Sequence, residues 1–309
     1  MSVVRCEGVT RRFGELRAVD DVSFQVEQGE IFGLIGPNGA GKTTLLNCIE
    51  GLDTPTSGTI SVLDRHPLAD QRELTLRTGV QLQSAALLPR ITVAEAMRLF
   101  SALYDDPTPW EELLTTLGIA AKQKARVDRL SGGERQRVFI ALALLHGPEV
   151  VFLDELTTAL DPQARLAMWE VVEDIRRRGT TVVLTTHYME EAEHLCDRVG
   201  IIDHGRLIAL DTVPALIREH AGEATARLTL EESPPADLDL HLEAIDSVTA
   251  VHAEARQLTV QGTGGFIQHV LSELTTRDLR AADLRTTSPG LEDVFLSLTG
   301  RAMRVEEAS

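Results

Sequence analysis

Gly36-Pro37-Asn38-Gly39-Ala40-Gly41-Lys42-Thr43-Thr44 fits G-x-x-x-x-G-K-[ST], a loop whose backbone N–H groups wrap around the phosphates of a nucleotide. Its setting decides the fold. Ile31-Phe32-Gly33-Leu34-Ile35, just before it, is a short apolar run bounded by glycine and reads as a fully buried strand. After it, Leu45, Leu46, Ile49 and Leu52 recur at helical spacing. Strand, glycine-rich turn and helix N-terminus together make an anion site, because free N–H groups converge there and the helix dipole favours negative charge. Lys42 is placed to reach the β- and γ-phosphates, and the Thr43 hydroxyl to ligate Mg²⁺. A glycine-rich turn that binds nothing is the plainer alternative, but strand, spacing and the Lys-Thr pair agree against it. The pattern implies a site for ATP or GTP.

Working outward, Val150-Val151-Phe152-Leu153-Asp154-Glu155 supplies what a phosphate loop lacks. A carboxylate at the end of a buried strand can hold Mg²⁺, the role assigned to Asp154. Glu155 is placed to orient and polarise an attacking water as general base. Carboxylates this close repel, so Mg²⁺ is expected to settle both as ionised. Thr181-Val182-Val183-Leu184 is another buried strand, and Asp161-Pro162 opens the helix between the two, with Asp as N-cap and Pro at N1. Strands alternating with helices imply an α/β fold with a parallel sheet and right-handed crossovers.

Val22, Phe24 and Val26 alternate with polar residues, as do Ile60 and Val62, and predict an antiparallel β flap beside the loop. Thr92-Val93-Ala94-Glu95 fits a capping box, followed by a helix through about Tyr104. A further helical pattern runs over about 109–117, so residues 84–140 read as a helical insert. After about His220 the composition shifts. Strands are predicted near 226–230, 248–253, 257–261 and 279–286, with helices near 238–245, from Phe266, and from Ser288-Pro289 to Leu298. The order βαββαβ plus a helix suggests a small ferredoxin-like α+β domain. The expected division is residues 1–220, a nucleotide-binding domain, and 221–309, an accessory domain.

The composition constrains partners. With 309 residues and 43% apolar content the chain can build two ordinary cores. No stretch approaches the roughly 18 unbroken apolar residues of a membrane span, and the N-terminus lacks the apolar core of a secretion signal. Cys6, Cys48 and Cys196 are scattered without metal spacing and read as buried thiols of a reducing cytosol. A net charge of −17 leaves no basic footprint for nucleic acid and disfavours direct adhesion to anionic lipid. Work at a membrane would need a protein partner to hold the chain there.

Leu130-Ser131-Gly132-Gly133-Glu134-Arg135-Gln136-Arg137 narrows the class. Ser131-x-x-Glu134 before an apolar run is a capping box, and an exposed Gly-Gly helix start is a second phosphate-binding surface. One chain with one nucleotide loop and two such surfaces is simplest as two molecules face to face, each presenting this helix start to the other's ATP.

With these motifs in order, residues 1–220 resemble the ATP-binding subunits of ABC transporters. The resemblance implies that Phe13 stacks on adenine, that Gln83 touches Mg²⁺ or water and moves with the membrane partner, and that His187 contacts the γ-phosphate. It also implies that Asp161 crosses a dimer interface. Leu156 stands where the family usually has Pro, Ala159 where Gly is common, and Glu134 where Gln is commoner, its charge expected to face phosphate. No reacting group is lost, so an active ATPase is expected. Ile31-Phe32-Gly33-Leu34-Ile35-Gly36-Pro37-Asn38, Gly79-Val80-Gln81-Leu82-Gln83 and the ending Gly290-Leu291-Glu292-Asp293-Val294-Phe295-Leu296-Ser297-Leu298-Thr299-Gly300-Arg301 resemble the daunorubicin-resistance-type subunits of bacterial drug exporters. That implies a separate integral-membrane permease, an ATP-sandwiched homodimer, and a cytoplasmic place on the inner face of the membrane. Alternatives are a polymer or lipid exporter, an importer, or a soluble ABC-type ATPase acting on ribosomes or DNA.

Overall fold

The computed structural model describes residues 1–81, 87–158, 160–235 and 237–300. The chain divides into two compact units, residues 1–216 and 217–300.

The first unit runs β1 (Ser2–Phe13), β2 (Leu16–Glu27), β3 (Ile31–Ile35), α1 (Lys42–Ile49), β4 (Ser57–Val62), α2 (Gln71–Leu74), β5 (Thr78–Gln81), α3 (Val93–Ser101), α4 (Trp110–Thr116), α5 (Gly132–Leu144), β6 (Val150–Asp154), α6 (Pro162–Arg177), β7 (Thr181–Thr186), α7 (Met189–Leu195), β8 (Arg198–Asp203), β9 (Arg206–Thr212) and α8 (Val213–His220), in which the division falls. Six strands form one sheet in the order β5-β6-β7-β3-β8-β9. All neighbours are parallel except the β8–β9 hairpin. Every residue of β3, β6 and β7 is buried. Continuous apolar runs, not alternation, mark strands covered on both faces.

β2, β1 and β4 form a separate antiparallel sheet, where inward residues such as Val22, Phe24, Val26, Ile60 and Val62 alternate with exposed ones. Their inner face packs on α1 through Leu45, Leu46 and Ile49. Leu52, counted with that helix in the sequence pattern, lies beyond its end and is exposed. The capping box of α3 is present: Glu95 N–H donates to Thr92 Oγ1 (3.3 Å) and Thr92 N–H to Glu95 Oε2 (2.8 Å). That helix ends at Ser101, not near Tyr104. Its last turn tightens into bonds from Leu103 N to Phe100 O and from Tyr104 N to Ser101 O, with Asp105-Asp106-Pro107 ahead barring continuation.

The second unit contains β10 (Ala224–Leu230), α9 (Leu238–Glu243), β11 (Val248–Glu254), β12 (Gln257–Gly262), α10 (Phe266–Thr276), β13 (Ala281–Thr287) and α11 (Leu291–Thr299). Its strands pair antiparallel in the order β11-β12-β10-β13, the ferredoxin-like arrangement. Ala226, Leu228, Leu230, Leu258 and Val260 face Leu238, Leu242, Phe266, Val270 and Leu274 of the helices. α11 begins two residues later than a Ser288 cap with Pro289 at the first position suggested. The Asp293 carboxylate takes the Gly290 N–H at 2.9 Å and fixes the first turn there.

Candidate active site

In the first unit, β7 lies between β3 and β6, so the carboxyl ends of three parallel strands stand side by side. This is where open α/β sheets place ligands. The segments leaving these ends carry the glycine-rich loop, the paired acids Asp154 and Glu155, and His187.

Residues 36–41 form the loop and Lys42 opens α1. Gly41 has φ +105°, and a Cβ there would lie 2.2 Å from Ala18 O. Gly205 N–H donates to Ala40 O and Asp20 N–H to Gly205 O, both at 2.8 Å. These bonds tie the loop to the β8–β9 turn and to β2. The Lys42 side chain is buried, and its ammonium donates to Gly36 O (2.8 Å) and Pro37 O (3.0 Å). Burial pushes its pKa down, opposed by the charges of Glu155 and Asp154.

Asp154 ends β6 and is buried. It accepts from Thr43 Oγ1 at 3.2 Å and from Thr185 Oγ1. Burial raises its pKa, while the bonds from Thr185 and Thr43 pull it back. The Thr43 hydroxyl and the Asp154 carboxylate are hard oxygen donors held side by side, a set that fits Mg²⁺. Among the described residues no group of three or more His, Cys, Asp or Glu could hold a metal. Such an ion would therefore complete its shell with phosphate oxygens and water, as Mg²⁺ does.

Glu155 adopts φ +48°, uncommon for a non-glycine residue. Its N–H donates to both the carbonyl and the hydroxyl of Thr185 at 3.1 Å, which holds it in that conformation. Thr158 Oγ1 donates to Glu155 Oε2 (3.3 Å), and His187 Nδ1 lies 3.5 Å from Glu155 Oε1. His187 holds the Glu155 carboxyl below its usual range, with burial opposing and Lys42 assisting. Two adjacent acids are thus driven in opposite directions, an arrangement that separates their roles.

A cleft of about 520 Å³ is lined by Phe13, Leu16, Arg17, Ala18, residues 39–44, Glu155, His204 and Gly205. Phe13 ends β1 with 48% of its surface exposed and the Arg11 guanidinium 4.5 Å from its ring centre, so it is not a strand-end core residue. Pro37 and Asn38 lie in the loop outside this lining, while Ala40, Gly39 and Thr44 belong to it. Gln83 and Ala159 lie outside the described residues.

None of Ser131, Gly132, Gly133 and Glu134 lines this cleft. A Cβ added at Gly133 would instead lie 3.5 Å from Ala164 Cβ and 3.8 Å from Leu160 Cδ2. Glu134 N–H donates to Ser131 Oγ (3.3 Å) and Ser131 N–H to Glu134 Oε2 (3.0 Å), the expected box. Lys122 pairs with Glu134 at 3.0 Å. The Ser131 N–H, then Lys122, hold the Glu134 carboxyl below its usual range. Within its own chain, its charge is thus paired with the helix start and with Lys122. Sequence reasoning also missed Thr185 and Glu191; the one available signal was a polar Thr185-Thr186 pair inside a buried strand.

The sheet, loop and paired acids define a P-loop nucleoside triphosphatase. The model for the ABC transporter family matches residues 19–158. Linearmycin resistance ATP-binding protein LnrL of Bacillus subtilis is 33% identical, over 98% of this chain and 100% of that one. A Nod factor export ATP-binding protein I of Bradyrhizobium diazoefficiens is 39% identical over 96% of each. Daunorubicin resistance ATP-binding protein DrrA3 of Streptomyces coeruleorubidus is 34% identical, over 100% of this chain and 99% of that one. A solved ATP-binding subunit of an ABC transporter superposes with a TM-score of 0.64 at 27% identity, covering 71% of this chain and 93% of the other. The chain belongs to the ABC transporter family, as an ATP-binding subunit that hydrolyses ATP.

Proposed function

We propose that this subunit energises a bacterial exporter of drugs or antibiotics, acting on a separate integral-membrane permease from the cytoplasmic face. The observation that carries the chemistry is the convergence of Lys42, Thr43, Asp154, Glu155 and His187 at three neighbouring strand ends. In this reading the loop N–H groups of residues 36–44 and the Lys42 ammonium cradle the phosphates, and Phe13 stacks on adenine, worth about 1–3 kcal/mol if it equals other base–aromatic stacking. Thr43 and Asp154, with Gln83, would hold Mg²⁺, which would offset the charge of the phosphates. Glu155 takes a proton from the water that attacks the γ-phosphorus, as the bond to the β–γ bridging oxygen breaks. His187 orients Glu155 and contacts the γ-phosphate.

The start of α5 takes no part in its own chain's cleft. Ser131, Gly132, Gly133 and Glu134 are read as facing the nucleotide of a second copy, so that two ATP molecules are sandwiched in a homodimer. Closure can be driven only by contacts that ATP makes in the closed state alone. This helix start supplies them, and closure would be passed to the permease through the helical insert and Gln83.

Relatives named for linearmycin and daunorubicin resistance support a drug cargo. Those named for Nod factor export support a polymer or lipid cargo as the second reading. No helix among the described residues is long and apolar enough to cross a membrane. The chemical reading is tested with Glu155→Gln. Steady-state turnover should fall by about 10²–10⁴, the usual worth of a general base, with ATP still bound. Unimpaired turnover removes Glu155 from this role. Co-expression with the permease, comparing drug accumulation in wild type and Lys42→Ala, separates the two cargo readings.

A further inference from the structure

A buried polar network lies behind the Glu155–His187 pair, and the chemistry above does not use it. Glu191, on α7, is 1% exposed, where a polar group without partners would be costly. Trp169 Nε1, on α6, donates to Glu191 Oε1 at 3.3 Å. The hydroxyls of Thr186 and Thr157 face the same carboxyl, and Thr157 Oγ1 is buried with no other partner. Arg165 stands beside it, its guanidinium 4.3 Å from the Tyr188 ring centre, and that ring is 4.2 Å from the ring of His187. Every partner adjoins the site: Thr186 precedes His187, Thr157 follows Glu155 by two positions, and Arg165 and Trp169 belong to the helix that Asp161 caps.

We propose that Glu191 is a positioning residue, whose carboxyl ties the strand end before His187, the loop after Glu155 and the first turns of α6 into one unit that aligns the Glu155–His187 pair. The proposal rests on the catalytic reading of that pair. Groups in one buried network couple strongly, whereas independent sites add. Burial pushes the Glu191 carboxyl's pKa up, so glutamine, its neutral isostere, should preserve the bonds.

The test uses the full-length protein and MgATP. Glu191→Gln should keep kcat within about threefold of wild type. Glu191→Leu, similar in volume but without polar atoms, should lower kcat at least tenfold while KM for ATP changes less than threefold. In a His187→Ala background, single-turnover rates should change less than twofold on adding Glu191→Leu, because a residue acting through His187 has nothing left to align. Equal losses in both backgrounds, an unchanged kcat for Glu191→Leu, or a Gln variant as impaired as the Leu variant would each overturn the proposal. Should Glu191→Leu not fold by circular dichroism, Thr157→Val carries the same comparison, with an expected kcat loss of about threefold to tenfold that vanishes in the His187→Ala background. Glu155→Gln runs alongside: wild-type turnover there sinks the catalytic reading, whereas an inactive Glu155→Gln beside an unimpaired Glu191→Leu sinks only the positioning role.

Discussion

At Gly41 the backbone conformation and the packing demand the same thing. Its φ of +105° is closed to most side chains, and an added Cβ would press on the backbone oxygen of Ala18, in β2. Gly39 also has positive φ (+78°), yet nothing lies within 4 Å of its missing Cβ. Gly41→Ala should therefore cost about 2–5 kcal/mol, strain and overpacking together, while Gly39→Ala costs about 1–2 kcal/mol. Urea denaturation midpoints decide this, and equal losses would mean that the Ala18 contact is immaterial. Glu50 offers a second test at this scale. It closes α1 and lines a cleft of about 500 Å³ with Leu52, Tyr104, Phe139 and His146. Both its carboxylate oxygens are buried without a hydrogen bond, and burial, with the Asp154 charge adding, lifts its pKa from 4.5 to about 8. The folded protein keeps this proton where the unfolded chain releases it, so the unfolded chain binds fewer protons and stability falls as pH rises from about 4.5 to 8. Above that window the loss is complete and flat. Glu50→Gln should remove this decline, leaving the variant roughly 1–3 kcal/mol more stable than wild type at pH 8.5. Parallel stability curves for the two proteins would show that Glu50 is not held neutral.

Among the elements, α6 connects the acid-bearing loop with the network behind it. Asp161 Oδ1 accepts the Ala164 N–H at 2.9 Å and caps the helix, with Pro162 at its first position. Asp161→Ala should cost about 1 kcal/mol, and Asp161→Asn, which keeps the cap but not the charge, only a few tenths. Thermal unfolding checks the pair; a loss for Asn as large as that for Ala would assign Asp161's importance to charge. The helix was legible because Asp-Pro before a periodic pattern is a local signal, and so were the capping boxes at Thr92 and Ser131. β3, β6 and β7 were legible as apolar runs bounded by turn residues. β8 and β9 were not, because their pairing with β3 and with each other is a long-range matter that Arg198-Val199-Gly200-Ile201-Ile202-Asp203 does not declare. Within the site, Lys42, Thr43, Asp154 and Glu155 could be named because loop and strand end are contiguous in sequence. Glu191 could not, since an acid in Met189-Glu190-Glu191-Ala192-Glu193 looks like any solvated helical face. Only the fold turns it inward, to Trp169.

For the molecule as a whole, the proposed sandwich brings two chains of net charge −17 together around two anionic nucleotides. Like charges repel over a Debye length, about 30 Å at 0.01 M salt but only about 8 Å at 0.15 M. The attraction that closes the pair is short-ranged, from α5 N–H groups to phosphate, and the repulsion is long-ranged. Salt therefore screens the term that opposes closure more than the term that drives it. Glu155→Gln with MgATP should elute as a dimer in about 0.3 M NaCl, with the dimer fraction falling in about 0.02 M NaCl. Without nucleotide it should remain monomeric in both. Adding Ser131→Arg, which places a bulky side chain at the helix start without touching the residues read as the Lys42 cradle, should abolish the dimer while leaving ATP binding within about threefold. Multi-angle light scattering across these conditions reads the outcome directly. A dimer that survives Ser131→Arg, or one that forms without ATP, would place the self-association surface away from α5. A dimer that tightens as salt is removed would instead mean that complementary surface charges, not phosphate held at a helix start, hold the two copies together.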